Sequence, residues 1–418
     1  MAKLALIRVA GTIAATALCA AAATEAAAQT PPQEGAIVLN EQLQLGDVFA
    51  GQTLNVVDAQ EQVTVETSAQ GNSASGSVEN GSAVVESRQD MRGDSVARSD
   101  VTLGGDTYGV VNVTTQAGGN YLGVSGYNAD VTLDATQTNT GSLVSATSEV
   151  GDSSARLHGG ANVNASAISN TVAAYGEGSV IQGNIDQANA AVVRSFSRIQ
   201  SQYIPAPGET RSEAVANAVA VNSVQTSGQN LSIVQRSTGD FIEAEASSNA
   251  GNAWDLAARA RAAANQTVLY NQGGSVVTAS DQSNTSFVRS SALTTAFDFG
   301  RAEATARGVA NELSVGNNDI YVEIDNTQFN AGGVDVSATF SGTNGYDAYV
   351  GAEAVGNSVT GYACADCPGY VEARSSQTNS GDVSAVANTT VAGSGRAIIT
   401  GATAVGNSAS FYVSRPTH

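Results

Sequence analysis

Apolar and polar residues alternate with a period of two through much of the chain. From Arg301 to Arg307, charged or hydroxyl side chains take the odd positions, and Ala302, Ala304 and Ala306 take the even ones. This alternation is typical of a β-strand with one buried face. The same pattern predicts four further strands, at Leu54–Val57, Val63–Glu66, Ile320–Ile324 and Val334–Phe340.

Two polar residues recur along the chain at intervals of 46 to 50 residues. The first is a glutamine, at Gln42, Gln89, Gln137, Gln187, Gln235, Gln282, Gln328 and Gln377. The second is an asparagine after a run of small residues, at Asn72, Asn120, Asn170, Asn217, Asn265, Asn311, Asn357 and Asn407. The step from each Asn to the next Gln is identical in five of the seven cases; it is longer by one after Asn217 and by three after Asn357. Two markers that keep one phase over eight copies indicate a repeat protein.

The repeat phase decides one ambiguous segment. Residues Trp254–Ala264 are rich in Ala, Leu and Arg, which favour a helix. However, Arg259 and Arg261 precede Asn265 at offsets similar to those of the alternating segment before Asn311. We therefore expect a strand in this segment as well.

Turn residues follow the glutamines. Glycine stands four residues after six of them, at Gly46, Gly93, Gly141, Gly239, Gly332 and Gly381. Aspartate comes next at Asp47, Asp94, Asp240 and Asp382. Gly-Asp between alternating segments is typical of a tight turn.

These patterns predict an all-β protein, a β-solenoid (β-helix) of about eight imperfect repeats of roughly 48 residues. Each repeat could form two coils of about 24 residues or one larger coil. The recurring Gln and Asn side chains would stack into structural ladders, because each amide can donate to one neighbour and accept from the other. An unpaired buried amide costs about 1–3 kcal/mol, so the ladders would also enforce the register.

The first residues are typical of a secretory signal peptide. Lys3 and Arg8 precede a weakly apolar stretch, and Ala26–Ala28 provide a cleavage pattern before Gln29. The predicted organisation is a signal peptide at 1–28, a lead-in segment at 29–41 with Pro31 and Pro32, the solenoid array at 42–406, and an incomplete terminal repeat or docking end at 407–418.

The charge balance excludes one class of partner. The chain has 18 basic and 38 acidic residues, a net charge of −20. Removal of the signal peptide, with Lys3, Arg8 and Glu25, leaves 16 basic and 37 acidic residues, a net charge of −21. Binding to nucleic acid needs clustered Lys and Arg, so no nucleic-acid partner is expected. An aromatic content of only 5% also disfavours an ordinary α/β enzyme.

Two cysteines remain in the mature chain, Cys364 and Cys367. In an exported protein their spacing favours a local disulfide. A zinc site would need two further ligands, and His158 and His418 are both distant in sequence.

Motifs for chemistry are few. The sequence contains no G-x-S-x-G and no phosphate-binding loop, so we expect no catalytic, cofactor-binding or metal-binding residues and no cofactor. Glu323 and Asp325 lie on the same side of the predicted strand as Asp319 and Tyr321, which keeps open a polysaccharide-cleaving site. A solvated strand face is the simpler explanation for these residues. Whether calcium binds at the Gly-Asp turns stays open.

Tyrosines concentrate towards the carboxyl end. Exposed tyrosines can stack on sugar rings, so we take five of them as candidate contacts with a polysaccharide or a partner: Tyr346, Tyr349, Tyr362, Tyr370 and Tyr412. The alternative is pairing between strands and capping of the end.

The chain stops a fraction of a repeat after Asn407. An incomplete last coil would leave backbone groups unpaired, and such an edge can pair with another chain. The sequence therefore predicts a homo- or hetero-oligomer formed by strand addition.

The repeated Ala-Val-Gly-Asn-Ser at Ala354–Ser358 and Ala404–Ser408, with turns such as Gln377–Gly381, resembles the family of the holdfast anchor protein HfaD of stalked bacteria. The resemblance implies an outer-membrane-associated surface protein at the cell pole that attaches the adhesive polysaccharide holdfast. It also implies two protein partners, a small fibre-forming anchor protein and a curli-secretin-like outer-membrane lipoprotein.

We therefore expect an exported, non-enzymatic surface anchor for a polysaccharide. Two alternatives stay open. One is a self-assembling amyloid-like or fimbrial fibre subunit, and the other is a secreted polysaccharide lyase or hydrolase on a β-helix.

Overall fold

The computed structural model describes residues 35–319, 321–364 and 369–413. Within these ranges all the regular secondary structure is β-strand. The strands are β1 Ala36–Gln44, β2 Val48–Val56, β3 Val63–Met91, β4 Ser95–Leu103, β5 Asp106–Thr107, β6 Val111–Asn139, β7 Leu143–Gly151, β8 Arg156–Leu157, β9 Ala161–Glu177, β10 Val180–Asn189, β11 Val192–Ile204, β12 Gly208–Val224, β13 Gly228–Ser237, β14 Phe241–Asn271, β15 Ser275–Asn284, β16 Phe287–Asn317, β17 Tyr321–Asn330, β18 Val334–Ala363, β19 Tyr370–Asn379, β20 Val383–Val391 and β21 Ala397–Val413.

All the strand pairs are parallel, and each joins residues one repeat apart. Gln89, for example, lies between Gln42 and Gln137, and the same repeat-length offset holds along the array, as between β14 and β16 or β18 and β21. Each repeat therefore makes one coil, or rung, of the solenoid. The predicted β-solenoid is confirmed, and the question of one or two coils per repeat is settled in favour of one.

In cross-section each rung has two lobes, and each lobe encloses an apolar core. The first lobe lies between the segments equivalent to 63–70 and 95–103, and its core contains residues such as Val113 and Val144. The second lobe lies between the segments equivalent to 74–78 and 83–89, and its core contains residues such as Leu122 and Leu133. The chain runs out along one wall of both lobes and returns along the other, so it passes twice through the waist between them.

The glutamine column lies at this waist. The eight predicted residues are in register, and in every step the Nε2 of the later glutamine donates to the Oε1 of the earlier one at 2.7–2.8 Å. Each Nε2 also donates to a backbone carbonyl on the opposite strand; Gln187, for example, bonds to Ala218 O at 3.0 Å. The column therefore ties neighbouring rungs together and also ties the two strands that cross the waist.

The asparagine column lies beside it with the opposite polarity. Here the Nδ2 of the earlier residue donates to the Oδ1 of the later one at 2.7–2.8 Å, from Asn72 through to Asn407. Asparagines also donate across the waist, as Asn217 does to Arg236 O at 2.9 Å. Both columns are almost fully buried in the inner rungs. They form a polar partition between the two cores.

A column of small residues lets neighbouring rungs pack closely at the waist. The residue before each ladder asparagine is skipped in the parallel pairing, and it is Gly, Ser or Ala in every rung. A Cβ at Gly119 would overlap the carbonyl oxygen of Ser169, and one at Gly356 would overlap that of Gly406. The small-residue run that precedes each asparagine in the sequence is thus a consequence of close packing at the waist.

The far corner of the second lobe needs a left-handed backbone. Eight residues after the ladder asparagine, φ is positive in five successive rungs, at Asn80, Asn128, Gly178, Gln225 and Gly273. Glycine and asparagine are the residues that adopt this conformation at least cost. This corner fixes where the chain turns back towards the waist.

The turn glycines after the glutamines stack directly on their neighbours. A Cβ at Gly332 would overlap the carbonyl oxygen of Ser286 in the preceding rung. We expect Gly332→Ala to lower the free energy of unfolding by about 1–3 kcal/mol, because the turn must move away from its neighbour. Gly401→Ala is the matched control, since nothing lies within 4 Å of the added methyl group. Thermal unfolding of both variants checks this, and equal losses would contradict the stacking.

The described residues bear on two of the predicted segment boundaries. Ala36–Glu41, assigned to the lead-in, belong to β1 and pair with β3, because the backbone register extends beyond the first marker glutamine. Asn407–Val413, assigned to an incomplete terminal repeat or docking end, continue β21 and pair with β18 of the preceding rung, which is compatible with that assignment. The signal peptide, the rest of the lead-in at 29–34, and residues 414–418 lie outside the described residues.

The individual strand predictions can be compared directly. Leu54–Val56 lie in β2, with Val57 just beyond it, while Val63–Glu66 begin β3 and Val334–Phe340 begin β18. Trp254–Ala264 lie inside β14, so the repeat phase correctly overrode helix propensity. Ile320 lies outside the described residues, and β17 starts at Tyr321.

The disulfide stays a prediction. Cys364 is disulfide-bonded, but its expected partner, Cys367, lies outside the described residues.

Candidate functional site

The five predicted contact tyrosines do not form one site. Tyr346 and Tyr349 lie on the outer wall of the first lobe, near the start of the outgoing strand. Tyr362 and Tyr412 stack in parallel, with ring centroids 5.8 Å apart, on the outgoing wall of the second lobe. Tyr370 stacks on Tyr321 at 5.7 Å on the returning wall. The last two groups are stacked pairs in neighbouring rungs, as the alternative of pairing between strands predicts, and their role as contacts stays a prediction.

The first group belongs to a larger aromatic surface. Trp254, Gly300, Tyr346 and Arg396 occupy the same position in four successive rungs, at one fixed offset before the ladder asparagine. Trp254 is 62% exposed and Tyr346 is 50% exposed. We call these four residues the Trp254 column. Phe297, three residues before Gly300, is exposed on the same rung.

Glycine at position 300 leaves room for both the backbone carbonyl and the indole of Trp254, since a Cβ there would overlap the carbonyl oxygen of Trp254. A Cβ there would come within 2.9 Å of Cδ2 and Cε3 of Trp254. With glycine, the indole reaches across that rung and meets Tyr346 edge to face, with centroids 6.0 Å apart. The Arg396 guanidinium then lies over the Tyr346 ring, 5.5 Å from its centroid. The column therefore presents two exposed aromatic rings in edge-to-face contact, followed by a cation over the second ring.

Charged groups flank this surface. Asp255, Arg301 and Asp347 lie in register on the next position of three successive rungs. Arg396 donates from Nε and Nη2 to both carboxylate oxygens of Asp347, at 2.9 Å for the Nε contact. This hydrogen bonding holds the pKa of Asp347 below its ordinary value and raises the pKa of Arg396. The carboxylates and guanidinium groups can thus accept and donate hydrogen bonds beside the aromatic rings.

Exposed aromatic rings bordered by Asp and Arg suit a polyhydroxylated ligand. A sugar ring has an apolar face that packs on an aromatic ring and hydroxyl groups that point outward to polar neighbours. The surface is open and extends over three rung spacings, roughly 14 Å. It fits a stretch of polymer better than a small enclosed ligand.

A second aromatic feature is a shallow groove of about 480 Å³ on the second lobe. Tyr121 and Tyr175 border it, and Gly76 and Gly123 contribute to its floor. Tyr175 also contacts Tyr127, with centroids 5.9 Å apart. The groove carries fewer charged groups than the surroundings of the Trp254 column.

Of the two acidic residues that kept open a polysaccharide-cleaving site, Glu323 makes an ordinary structural contact. The Tyr321 hydroxyl donates to Glu323 Oε2 at 2.7 Å, and this bond raises the pKa of Tyr321 to about 12. Asp325 lies in register with Arg374 in the next rung. Among the described residues, no group of three or more His, Cys, Asp or Glu side chains is arranged to hold a metal ion. The described part of the chain also has no helix that could cross a membrane.

Ion pairs join neighbouring rungs on the outgoing wall of the first lobe. Arg259 bonds to Glu209 in the rung below and to Glu303 in the rung above. The carboxylate of Glu312 receives hydrogen bonds from Arg307 at 2.8 Å and Arg261 at 3.2 Å, and its side chain is 16% exposed. Burial alone would raise the pKa of Glu312, but the two guanidinium charges outweigh it and hold that pKa below its usual value.

Sequence reasoning missed the Trp254 column, although a signal for it was present. The five tyrosines were chosen because they lie near the carboxyl end of the sequence, and in the structure they lie on three different walls. Selection by distance from the ladder asparagine would have aligned Trp254 with Tyr346, and the intervening Gly300 with the indole that it accommodates.

The sequence matches the family model of holdfast attachment protein D over residues 57–333, which is more than half of the chain. The matched segment contains Trp254 and Gly300, and Tyr346 lies beyond it. No curated protein and no solved structure matches the chain.

Proposed function

Since the chain belongs to the holdfast attachment protein D family, which associates it with holdfast attachment at the cell surface, we propose that it anchors the adhesive polysaccharide without catalysis. The solenoid would act as a stiff support, and the Trp254 column would contact the polymer. The single observation that supports this best is the exposed Trp254–Tyr346 surface with its flanking Asp347–Arg396 pair.

The proposal extends to location and partners. The chain would be exported and associate with the outer membrane at the cell pole. A curli-secretin-like lipoprotein would export or tether it, and a small fibre-forming anchor protein would share the attachment. The open strand edges at the two ends of the array are suited to such protein contacts, which leaves the lateral walls for the polysaccharide.

The charge distribution agrees with this division of roles. The chain carries 38 acidic against 18 basic residues, so a cationic, partly deacetylated polymer would be steered towards it. Asp255, beside the Trp254 column, would then face amino groups of the polymer. Raised ionic strength should weaken this attraction. At physiological salt, dissolved ions already screen exposed charges that lie more than about 8 Å apart, and this distance shortens as salt is added.

Trp254→Ala tests the proposed contact. We expect binding of the purified chain to isolated holdfast polysaccharide to weaken about tenfold or more, since a large stacking surface is lost. Phe329→Ala is the matched control, because Phe329 is also an exposed aromatic residue but lies on the returning wall of the second lobe. Cells that produce the Trp254 variant should shed more holdfast into the medium. Equal binding by both variants and the unaltered chain would contradict the assignment of this surface.

A further inference from the structure

Both ends of the described array are open strand edges. At the start, β1 pairs only with β3, and β2 only with β4. At the other end, β19, β20 and β21 pair only with strands of the preceding rung. Within the described residues, the outer backbone groups of these edges have no strand partner, and such edges are templates for pairing with another chain.

The two end rungs match each other position by position. Addition of 335 to a residue number in the first rung, 35–78, gives its counterpart in the last rung, 370–413. Gln42 maps onto Gln377 and Asn72 onto Asn407, and Gly71–Ser75 has the same sequence as Gly406–Ser410. The interval from Gln to the following Asn is therefore equal in the two end rungs, whereas it varies by a few residues inside the array. The two ends can pair without an insertion or a gap.

The ladders have the correct polarity at both ends. In every internal step a later Gln Nε2 donates to an earlier Gln Oε1. A first rung stacked on a last rung would place Gln42 Nε2 of one copy against Gln377 Oε1 of the other. Asn407 Nδ2 would likewise donate to Asn72 Oδ1, in the same direction as in the internal steps. A head-to-tail contact thus extends both ladders.

The turn carboxylates repeat this arrangement. Asp47 Oδ1 accepts from the backbone N–H of Asp94 at 2.9 Å, and Asp94 Oδ1 accepts from that of Ser142 at 2.8 Å. Asp382 holds the equivalent place in the last rung and is exposed. In the register that joins the two end rungs, it would receive the backbone N–H of Asp47 from a second copy.

Contacts within a single chain do not explain why a glycine stands at position 46. At the equivalent turn positions, such as Gly93, Gly141 and Gly381, a Cβ would overlap a carbonyl oxygen of the preceding rung. At Gly46 nothing lies within 4 Å of an added Cβ. In a head-to-tail stack, the carbonyl of Gly381 from another copy would fill this space, as that of Gly332 does beneath Gly381.

Charge and apolar surface also favour this contact. The first rung, 35–78, carries five carboxylates and no basic residue, whereas the last rung, 370–413, carries two carboxylates and two arginines. Arg396 would lie opposite Glu61 in the proposed register. The first rung also exposes Leu39 (72%) and Phe49 (70%), and partial cover of apolar residues stabilises association.

We propose that this chain binds a second copy of itself head to tail, with residues 370–413 of one copy pairing in parallel with residues 35–78 of the next. The same contact can repeat at every free end, because a heterologous contact of this kind does not close on itself without a suitable rotation. The product is a filament in which the Gln and Asn columns run through the junctions. This inference does not depend on the proposed polysaccharide contact. Within such a filament, the protein partners of the proposed function would bind only the strand edges left free at its two ends.

Gly46→Val in the mature chain tests the junction. The monomer should fold normally, because the space around Gly46 is open, but head-to-tail association should weaken about tenfold or more through overlap with the neighbouring copy. Gly104→Val is the matched control, since Gly104 also has nothing within 4 Å and lies in an inner rung. Sedimentation velocity over a range of protein concentrations measures association, and electron microscopy detects filaments. A chain that stays monomeric throughout, or a Gly46 variant that assembles like the control, overturns the proposal.

Cross-linking tests the register independently of any blocking mutation. One copy carries Glu41→Cys and the other carries Ser376→Cys, two outward positions that face each other in the proposed register. A disulfide should form between these copies under mild oxidation. Replacement of the second copy by Thr327→Cys, the inner neighbour of Ser376 in the same column, should abolish the cross-link. Equal cross-linking at positions 376 and 327, or none at either, overturns the proposed junction.

Discussion

Asn217→Ala should lower the free energy of unfolding by about 3–5 kcal/mol, because it leaves buried amide and carbonyl groups unpaired at about 1–3 kcal/mol each. Asn217 accepts from Asn170 and donates to Asn265, both at 2.8 Å, and it also donates across the waist to Arg236 O. The alanine cannot replace any of these bonds, and the side-chain cavity adds to the loss.

Asn407→Ala is the matched control for this prediction. Asn407 belongs to the same column but is exposed in the last described rung, where it accepts a side-chain hydrogen bond from Asn357. Its loss should cost under about 1 kcal/mol. Urea unfolding followed by circular dichroism, at concentrations where the chain is monomeric, compares the two variants. Similar losses would mean that burial in the ladder does not decide the effect.

Glu312→Gln should lower the free energy of unfolding by about 1–3 kcal/mol at pH 7, because Arg307 and Arg261 lose the carboxylate that they share. Each arginine keeps one other carboxylate partner, Glu353 and Glu213 respectively, so neither charge is left unpaired. The pKa of Glu312 is held below its usual value in the folded state. Between the folded and unfolded pKa values, the unfolded chain therefore binds more protons. The stabilisation is present above the ordinary value of 4.5 and is lost as the pH falls through the folded pKa.

The variant should consequently approach the unaltered chain in stability below the folded pKa, where both carry a neutral side chain at this position. Glu372→Gln provides the control. Glu372 pairs with Arg374 on an exposed part of the wall at 3.3 Å, and such pairs contribute under about 1 kcal/mol. Thermal unfolding across the acidic range and up to neutral pH measures both variants. A loss for Glu312→Gln that is the same at every pH would contradict a charge-based role.

The number of residues in one coil could be predicted from the sequence, because buried polar residues have to recur at that spacing. A buried Gln or Asn needs a partner, and in a parallel stack the nearest partner is its own copy in the next rung. The spacing of Gln187 and Gln235 therefore reports the length of one coil directly. The same argument overrode the helix propensity of the segment before Asn265, since a helix would have broken the column.

The two-lobed cross-section was not accessible in the same way. Alternation shows which side chains point inward but not which inward segments face each other. The waist depends on hydrogen bonds such as Gln187 to Ala218 O, which join positions far apart within one repeat. A second buried asparagine column, Asn284 to Asn330 to Asn379, was also missed as a separate ladder, because earlier rungs satisfy that position differently, with Asn139 bonded to Ser169.

The candidate surface was predicted only in part. The sequence prediction includes Tyr346 and Tyr349, whereas Trp254 enters it only through secondary structure. Trp254 and Tyr346, two repeats apart in the chain, become close only when one coil per repeat is known, because two rung spacings then separate them. An assignment of two coils would have placed them twice as far apart.

The most direct test of the single-coil solenoid is a distance along its axis. Spin labels at Arg88 and Ser376 occupy one outward column, and six register steps separate them through Thr136, Asp186, Val234, Asp281 and Thr327. At about 4.8 Å a step, their backbone positions lie roughly 29 Å apart, although most of the chain lies between them. Double electron–electron resonance on the monomer should give a narrow distribution near this value. A distance about twice as long, as two coils per repeat require, or a broad distribution would contradict the single-coil solenoid and its two amide ladders.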